Sequence, residues 1–327
     1  MKTIVIALGG NALIAKGQRG TTAEQLATVR SASRGIVRVI AAGHRVVVTH
    51  GNGPQVGFML RAHELAEREI PALPLDALDA ATQGTIGYML QQSLQHELAA
   101  ADVKKPVGTI ITQVLVSRND PAFAKPSKPI GGFYDEATAR RMQRERNWAI
   151  SEDAGRGWRR VVPSPKPISI VERALVRELV ERGVIVIACG GGGVPVVRDA
   201  ASGALRGIEA VIDKDYASCV LAREIGADVL AIATPVPCVY ENFGKQNQRA
   251  LRELHAEDAR ARLARGEFPA GSMAPKIEAA CDFVETGAGV SGGVVGSGSG
   301  GGREAVITDV PSLELALEGK AGTLIRR

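Results

Sequence analysis

Short runs of apolar, β-branched residues alternate along this chain with longer stretches of helical periodicity, and this alternation constrains the fold most strongly. Residues 3–8 and 45–49 are continuous apolar runs, typical of strands buried on both faces. Between them, residues 21–42 have helical spacing, with a threonine available as N-cap and Gly43 as the stop. Strands that alternate with helices favour an α/β fold, with a mainly parallel sheet covered by helices on both faces.

The alternation continues to the C-terminus, with one interruption. Residues 117–167 contain six prolines, two tryptophans and a cluster of arginines, which predicts an inserted subdomain or lid. A short hairpin is expected at 195–208, and a short helix and strand at the C-terminus. Further strands are predicted at 107–116, 184–188, 228–233 and 304–308, and further helices near Pro54, at 82–101, at 169–182, from about Asp213, at 256–265 and at 273–286.

Glycine turns follow three of the predicted strands. They are Gly9-Gly10-Asn11, Gly51-Asn52-Gly53 and the run from Gly190 through Gly191 and Gly192 to Gly193. Glycine lets the backbone approach an anion closely, and a helix that starts after such a turn adds the positive end of its dipole. In parallel sheets, ligands bind beyond the carboxyl ends of the strands. Three such turns therefore predict a polyanion site.

Three lysines lie in glycine- or proline-rich settings. Lys214 and Asp215 fall in the first turn of a predicted helix, and Lys276 repeats this position near the start of another. A lysine is unfavourable beside a helix N-terminus, because both are positive, unless an anion lies between them. Lys128 lies inside the inserted segment, between prolines.

Composition and motifs exclude several classes of function. Lys and Arg exceed Asp and Glu by 40 to 35, which suits small anions and gives no sign of a nucleic-acid partner, and aromatics are only 4%. There is no P-loop sequence and no apolar run of membrane-spanning length, so we expect a cytoplasmic protein without membrane contact. The four cysteines are expected to be buried free thiols. Residues 287–302 are glycine-rich and predict a surface loop; their G-A-G-V-S-G follows a helix pattern, which argues against a dinucleotide fingerprint.

Six segments together resemble the carbamate kinases of the amino acid kinase superfamily. The resemblance runs in order from residue 3 to the C-terminus. The segments are ALGGNA at 7–12, THGNGPQVG at 49–57, DAGRGWRRVVPSPKP at 153–167, GGGGVPV at 190–196, EAVIDKD at 209–215 and FPAGSMAPKIEAA at 268–280.

The resemblance implies a three-layer αβα sandwich, a homodimer and one domain over residues 1–327. An acceptor half of about 1–208 would include a protruding subdomain at about 118–166, and about 209–327 would form a nucleotide half. The implied reaction interconverts ATP and carbamate with ADP and carbamoyl phosphate, often in the ATP-forming direction during arginine catabolism. Mg²⁺ is expected to accompany the nucleotide, with no metal held by the protein alone.

Residue roles also follow from the resemblance. Acceptor and phosphate binding is assigned to the glycine turns, and nucleotide binding includes Tyr240 and Met273. Lys128, Lys214, Asp215 and Lys276 are the implied catalytic residues, with Lys214 and Lys276 also on the nucleotide phosphates. The turn residues are Gly9, Gly10, Asn11, Gly51, Asn52, Gly53, Gly191 and Gly192.

The chain departs from the family at residues 234–237, which are Thr-Pro-Val-Pro where T-D-V-D is usual. Both carboxylates are absent, and each proline fixes φ and removes an N–H donor. The long glycine-rich run at 287–302 is a second departure. Two alternatives stay open: an acylphosphate-forming kinase with another carboxylate or carbamate-like acceptor, and a catalytically weak paralogue that senses ATP or carbamoyl phosphate.

Overall fold

The structure is a computed structural model that describes residues 1–15, 17–153, 157–286 and 302–327. The N-terminal strands are β1 (Thr3–Leu8), β2 (Arg45–His50), β3 (Val107–Thr109), β4 (Gln113–Val116), β5 (Lys128–Tyr134), β6 (Ala149–Asp153), β7 (Gly157–Val162), β8 (Pro167–Ile170) and β9 (Ile185–Ile187). The later strands are β10 (Val194–Arg198), β11 (Leu205–Gly207), β12 (Val229–Ala233), β13 (Val239–Glu241), β14 (Arg249–Leu251), β15 (Glu253–His255), β16 (Glu304–Thr308) and β17 (Thr323–Arg326). The α-helices are α1 (Thr22–Ala41), α2 (Gly53–Ala66), α3 (Leu75–Ala100), α4 (Glu136–Arg146), α5 (Arg173–Glu181), α6 (Lys214–Glu224), α7 (Ala256–Ala264), α8 (Met273–Glu285) and α9 (Leu313–Leu317).

An eight-stranded sheet forms the centre of the molecule, in the order β15-β17-β16-β12-β1-β2-β9-β3. The six strands from β16 to β3 pair in parallel, and β17 runs antiparallel to β16. Every residue of β1 is buried, as a strand between two neighbours and two helical layers must be. The predicted mainly parallel sheet is confirmed.

The two faces of the sheet carry separate hydrophobic cores. Ile4 and Ile6 of β1 pack in the core that contains α1 and α3, whereas Val5 and Ala7 pack in the core that contains α6 and α8. This alternation follows from the two-residue period of a strand, which sends successive side chains to opposite faces. The three-layer αβα arrangement is therefore confirmed.

Helix α1 begins where the sequence predicts. Thr21 is its N-cap, and a capping box joins the Thr21 hydroxyl to the backbone N–H of Glu24 and the Glu24 carboxylate to the N–H of Thr21. The hairpin predicted at 195–208 is also present as β10 and β11. All four cysteines are free and buried, as expected.

The prediction of a single strand at 107–116 is wrong, because this stretch forms two strands, β3 and β4. β3 belongs to the eight-stranded sheet, whereas β4 joins a second sheet with the order β11-β10-β4-β8. The chain changes sheets at Thr112, whose backbone N–H donates to the Gln83 side-chain oxygen while its carbonyl accepts from the Gln83 amide. An apolar run carries no signal for this change, since apolar residues occur on both sides of Thr112.

Two predicted helix boundaries are also wrong. The helix predicted at 169–182 is preceded by strand β8, because residues 167–170 pair with β4, and α5 begins only at Arg173. The helix predicted at 82–101 begins seven residues earlier, at Leu75, with Pro74 as its N-cap. Proline is well placed at a helix start, since it has no N–H to leave unpaired. The short hairpin of β13 and β14 was not predicted.

Strands β5, β6 and β7 form an antiparallel sheet next to α4, apart from the main sheet. This unit contacts α2, where a Cβ placed on Gly57 would lie 2.2 Å from the Cα of Gly131. Arg146 also donates two hydrogen bonds of 2.5 Å to the carboxylate of Glu67. The unit therefore rests closely on α2, and its first strand begins with Lys128.

Candidate active site

A cleft of about 580 Å³ opens at the carboxyl ends of β1, β2 and β12. The turns that follow these strands form its floor, and residues from β5, α6 and α8 form its walls. Its lining includes Gly9, Gly10, Gly51, Asn52, Gly53, Lys128, Gly191, Lys214, Asp215, Tyr240, Met273 and Lys276. The structure thus brings together in one cavity most of the residues singled out from the sequence.

Two lysines share one buried carboxylate in this cleft. Lys214 Nζ donates to Asp215 Oδ1, and Lys276 Nζ lies 2.8 Å from Asp215 Oδ2. Burial alone would raise the pKa of Asp215, but the two ammonium groups outweigh it and hold the pKa at about 2. Burial lowers the pKa of Lys214, and Asp215 opposes this effect. The cluster carries one net positive charge, available to an anion.

A third lysine, from β5, reaches the N-cap residue of the same helix. Lys128 Nζ lies 2.6 Å from Asp213 Oδ2, and Asp213 Oδ1 accepts a hydrogen bond from the backbone N–H of Asp215. Asp213 is thus both the N-cap of α6 and the partner of a lysine from β5. This ion pair joins the β5–β7 unit to the helix that carries the lysine cluster.

Close approach requires glycine at some positions of the turns, although a Cβ on Gly10 or Gly53 would meet nothing within 4 Å. A Cβ placed on Gly9 would lie 2.9 Å from the carbonyl oxygen of Ala233, and one on Gly191 would lie 2.3 Å from Asn52 Nδ2. Gly191 also has a φ of +69°, which favours glycine. Gly192 has φ of +96° and packs against the backbone of Ile212, outside the cleft lining. Gly192 therefore packs behind the floor of the cleft and is not among the residues that line it.

Sequence reasoning missed a polar group beneath the floor. The Asn52 side chain donates from Nδ2 to Asp79 Oδ1 at 2.9 Å and to Thr82 Oγ1 at 2.8 Å. All three residues are almost completely buried. Asp79 and Thr82 are one helical turn apart on α3, so an acidic residue on the apolar face of a helix was the available signal. The late start predicted for this helix hid it.

Asp79 is held in an unusual electrostatic environment. Burial raises its pKa to about 8, although the hydrogen bond from Asn52 acts in the opposite direction. The neighbouring His50 is neutral, because burial lowers its pKa to about 4, and its Nδ1 contacts the Gly51 carbonyl at 2.9 Å. At neutral pH the floor of the cleft therefore adds neither a carboxylate charge nor an imidazolium charge.

The raised pKa of Asp79 predicts a pH-dependent stability. An unfolded aspartate titrates near pH 3.9, so between about pH 4 and 8 the native state holds an extra proton, and the free energy of unfolding falls as pH rises. We expect Asp79→Asn to remove this decline. Relative to wild type, the variant should gain about 1 to 3 kcal/mol between pH 5 and pH 8 in urea unfolding.

The exposed residue Asp102, just beyond α3, offers a matched control. Asp102→Asn, a substitution of an exposed residue, should change the free energy of unfolding by no more than about 0.5 kcal/mol. A pH-independent difference for Asp79→Asn would contradict the assignment of a raised pKa to this carboxyl group.

The other end of the cleft is largely apolar. Tyr240 and Phe243 place their ring centroids 5.9 Å apart, and Met273 lies at the start of α8. Phe243 was not singled out from the sequence; in the structure it lies just beyond the end of β13, and its side chain is exposed. Pro235 lines the cleft beside these side chains, whereas Pro237 does not. This surface suits the flat face of an aromatic base.

Two features predicted from the sequence cannot be placed. The side chain of Asn11 is outside what the structure describes, although its backbone follows β1. The glycine-rich run is likewise outside the described residues from 287 to 301. Over the described ranges, no group of three or more His, Cys, Asp or Glu side chains has an arrangement that could hold a metal ion.

Comparisons with known proteins agree with this fold and site. The sequence model of the amino acid kinase family matches residues 2–291. The chain is 48% identical over 326 residues to the carbamate kinase of Pyrococcus furiosus, covering 99% of both chains. It is 43% identical to the carbamate kinase of Clostridium perfringens, covering 98% of this chain and 99% of that protein.

A comparison with a solved structure indicates the same family. The carbamate kinase of Giardia lamblia bound to AMP-PNP has a TM-score of 0.88 and 38% identity, covering 99% of this chain and 98% of that one. The αβα sandwich of this chain, with its lysine-lined cleft at the strand ends, is thus the fold of an amino acid kinase. The chain belongs to the amino acid kinase family and, within it, to the carbamate kinases. Among the described helices, none is both long and apolar enough to cross a bilayer.

Proposed function

We propose that this protein is a carbamate kinase that interconverts ATP and carbamate with ADP and carbamoyl phosphate. The carrying observation is the cluster of Lys214, Asp215 and Lys276, which faces the glycine turns across one cleft. The names of its relatives at 43–48% identity over nearly the whole chain support the same reaction. We expect ATP formation from carbamoyl phosphate to be the working direction, in arginine or carbamoyl phosphate catabolism.

The proposed division of labour follows the two ends of the cleft. The turns at Gly9–Asn11, Gly51–Gly53 and Gly191 would hold carbamate and the transferred phosphoryl group. Tyr240 and Met273 would contact the nucleotide, and the apolar wall around them supports this placement. Lys214 and Lys276 lie between these ends, where the β- and γ-phosphates would meet. The acceptor half is then about 1–208 and the nucleotide half about 209–327.

The chemistry requires little from the protein besides position and charge. In the ATP-forming direction, an oxygen of the ADP β-phosphate attacks phosphorus, the bond from phosphorus to the carbamate oxygen breaks, and carbamate leaves as an anion. Charge on the transferred group is neutralised by fixed cations, and no proton has to move. Asp215 holds both lysine ammonium groups, so it orients them and does not need to act as a base.

Mg²⁺ would enter with the nucleotide. Both oxygens of Asp215 are occupied by lysines, and Asp213 is held by Lys128 and by the backbone of α6. These carboxylates are therefore poorly available as direct ligands, which suits an ion held mainly by phosphate oxygens and water. Such an ion would offset phosphate charge.

The β5–β7 unit would act as a lid. Its Lys128 enters the cleft at the first residue of β5 and pairs with Asp213. We propose that about 118–166 moves as this protruding subdomain and brings Lys128 over the acceptor, which would exclude water from a labile acyl phosphate. A cytoplasmic homodimer is the expected state.

A coupled assay of ATP formation tests the proposal directly. With ADP, Mg²⁺ and carbamoyl phosphate, we expect turnover that saturates in both substrates. Failure with carbamoyl phosphate but turnover with another acyl phosphate would favour a different acceptor. Binding of nucleotide without turnover of any acyl phosphate would favour a sensor.

Pro235 offers a sharper test of the nucleotide end. Pro235→Asp restores one carboxylate that the family usually carries, at a position that lines the cleft. One added hydrogen bond to a ribose hydroxyl is worth about 0.5–1.5 kcal/mol, so the KM for ADP should fall about 2- to 13-fold with kcat within a few-fold. Pro237→Asp, outside the cleft lining, is the matched control and should leave KM unchanged. A rise in kcat by orders of magnitude would instead indicate a weakened paralogue.

A further inference from the structure

The hydrogen-bond partners of the Asn52 side-chain amide favour one of its two orientations. The Thr82 hydroxyl donates its hydrogen to the Asp79 carbonyl oxygen at 2.7 Å, so Thr82 Oγ1 can only accept from Asn52. Asp79 Oδ1 accepts the second hydrogen of Asn52 Nδ2. A flipped amide would place its oxygen against the committed Thr82 oxygen. Asn52 therefore turns both N–H groups toward α3.

The carbonyl oxygen of Asn52 is consequently directed away from α3. Asn52 lines the cleft, and no residue in the described part of the chain donates a hydrogen bond to its Oδ1. The amide also packs against Gly191, where a Cβ would lie 2.3 Å from Nδ2 and 2.9 Å from Oδ1. The contact with Gly191 restricts rotation of the amide plane. The floor of the cleft thus presents an acceptor in a fixed position.

An acceptor is unusual in a site built for anions. Lysines and glycine N–H groups are donors, and they can bind any carboxylate or phosphate. Carbamate differs from acetate only in carrying NH₂ where acetate carries CH₃, so discrimination between the two requires a hydrogen-bond acceptor. A site that pairs a substrate N–H rejects the analogue lacking it, because the acceptor is then left unpaired.

We propose that Asp79 and Thr82 are positioning residues that hold Asn52 Oδ1 as the acceptor for the amino group of carbamate. This inference rests on the proposed carbamate kinase activity. Asp79 supports it also by its charge state, since a protonated Asp79 still accepts through Oδ1 and adds no negative charge beneath an anion site. The neutral His50 beside the same floor has the same consequence.

The test compares two phosphoryl donors that differ only at the amino group. Carbamoyl phosphate and acetyl phosphate are each assayed with ADP, and the ratio of their kcat/KM values is the readout. Thr82→Val keeps the shape of the side chain but frees the Asn52 amide to flip. We expect this ratio to fall about tenfold, chiefly through loss of carbamoyl phosphate turnover.

Three further variants separate positioning from general damage. Asp79→Leu should also lower this ratio. Asp79→Asn should keep the ratio near its wild-type value, because an asparagine oxygen can accept from Asn52. Ser93→Ala removes another buried hydroxyl from α3, one without a partner among the described residues, and should leave both rates at wild-type values. Circular dichroism verifies the fold of each variant.

The outcomes distinguish this inference from the function it rests on. If wild-type protein forms no ATP from carbamoyl phosphate, the proposed function fails and the inference fails with it. If wild type is active but folded Thr82→Val loses both donors equally, or keeps the ratio unchanged, Asn52 does not select the amino group. A lowered ratio in Thr82→Val and Asp79→Leu, with recovery in Asp79→Asn, supports the assignment.

Discussion

Lys214→Ala and Lys276→Ala should each lose most of kcat while the protein stays folded. Both ammonium groups are nearly buried in the cleft, with side chains 10% and 13% exposed, and both bind the carboxylate of Asp215. In a water-excluded site, one preorganised charge-stabilising group is typically worth about 10²- to 10³-fold in rate. Steady-state kinetics in the ATP-forming direction, with circular dichroism on each variant, measures this.

Lys320 provides a matched control for these two variants. It is an exposed lysine paired with Glu318 near the C-terminus, outside the cleft lining. Lys320→Ala should therefore leave kcat and KM unchanged. Near-normal kcat in Lys214→Ala or in Lys276→Ala would remove that lysine from the transfer site.

Asp215→Asn should have the largest effect on stability. The substitution leaves the ammonium groups of Lys214 and Lys276 close together in a buried site without their shared counter-charge. Breaking a buried ion pair by removing one partner typically costs about 3–5 kcal/mol. Urea unfolding at pH 7 should show a loss of this size, and kcat should fall as well, since an amide lacks the charge and the second acceptor oxygen that hold the two lysines.

The same variant should respond to nucleotide more strongly than wild type. Phosphates bound to the native state would supply the missing negative charge, so saturating ADP should recover part of the lost stability. Asp258→Asn, which removes an exposed partner of Arg262 on α7, is the control and should cost about 0–1 kcal/mol. An Asp215→Asn protein as stable as wild type would contradict a structural role for the shared carboxylate.

Local signals in the sequence were sufficient for much of this protein. Continuous apolar runs such as Thr3–Leu8 predict buried parallel strands because only such strands bury both faces. A threonine before the helical run predicts the start of α1, because the contacts that cap a helix, here between Thr21 and Glu24, span only four neighbouring residues. Glycine turns and first-turn lysines predict an anion site because parallel strands bring their carboxyl ends to one edge.

These local signals could not predict contacts between residues that lie far apart in the sequence. The chain leaves one sheet for another at Thr112 because Gln83, far away in sequence, satisfies its backbone groups. Lys214 and Lys276 can both bind the Asp215 carboxylate only because α6 packs against α8. The helix predicted at 82–101 leaves out Asp79, and no local signal reveals that its carboxyl group meets Asn52, since that contact exists only when α3 lies beneath the turn after β2. Sequence thus determined which residues carry charge, flexibility and burial, whereas the tertiary structure decided which charges share a partner and which buried polar groups meet beneath the cleft floor.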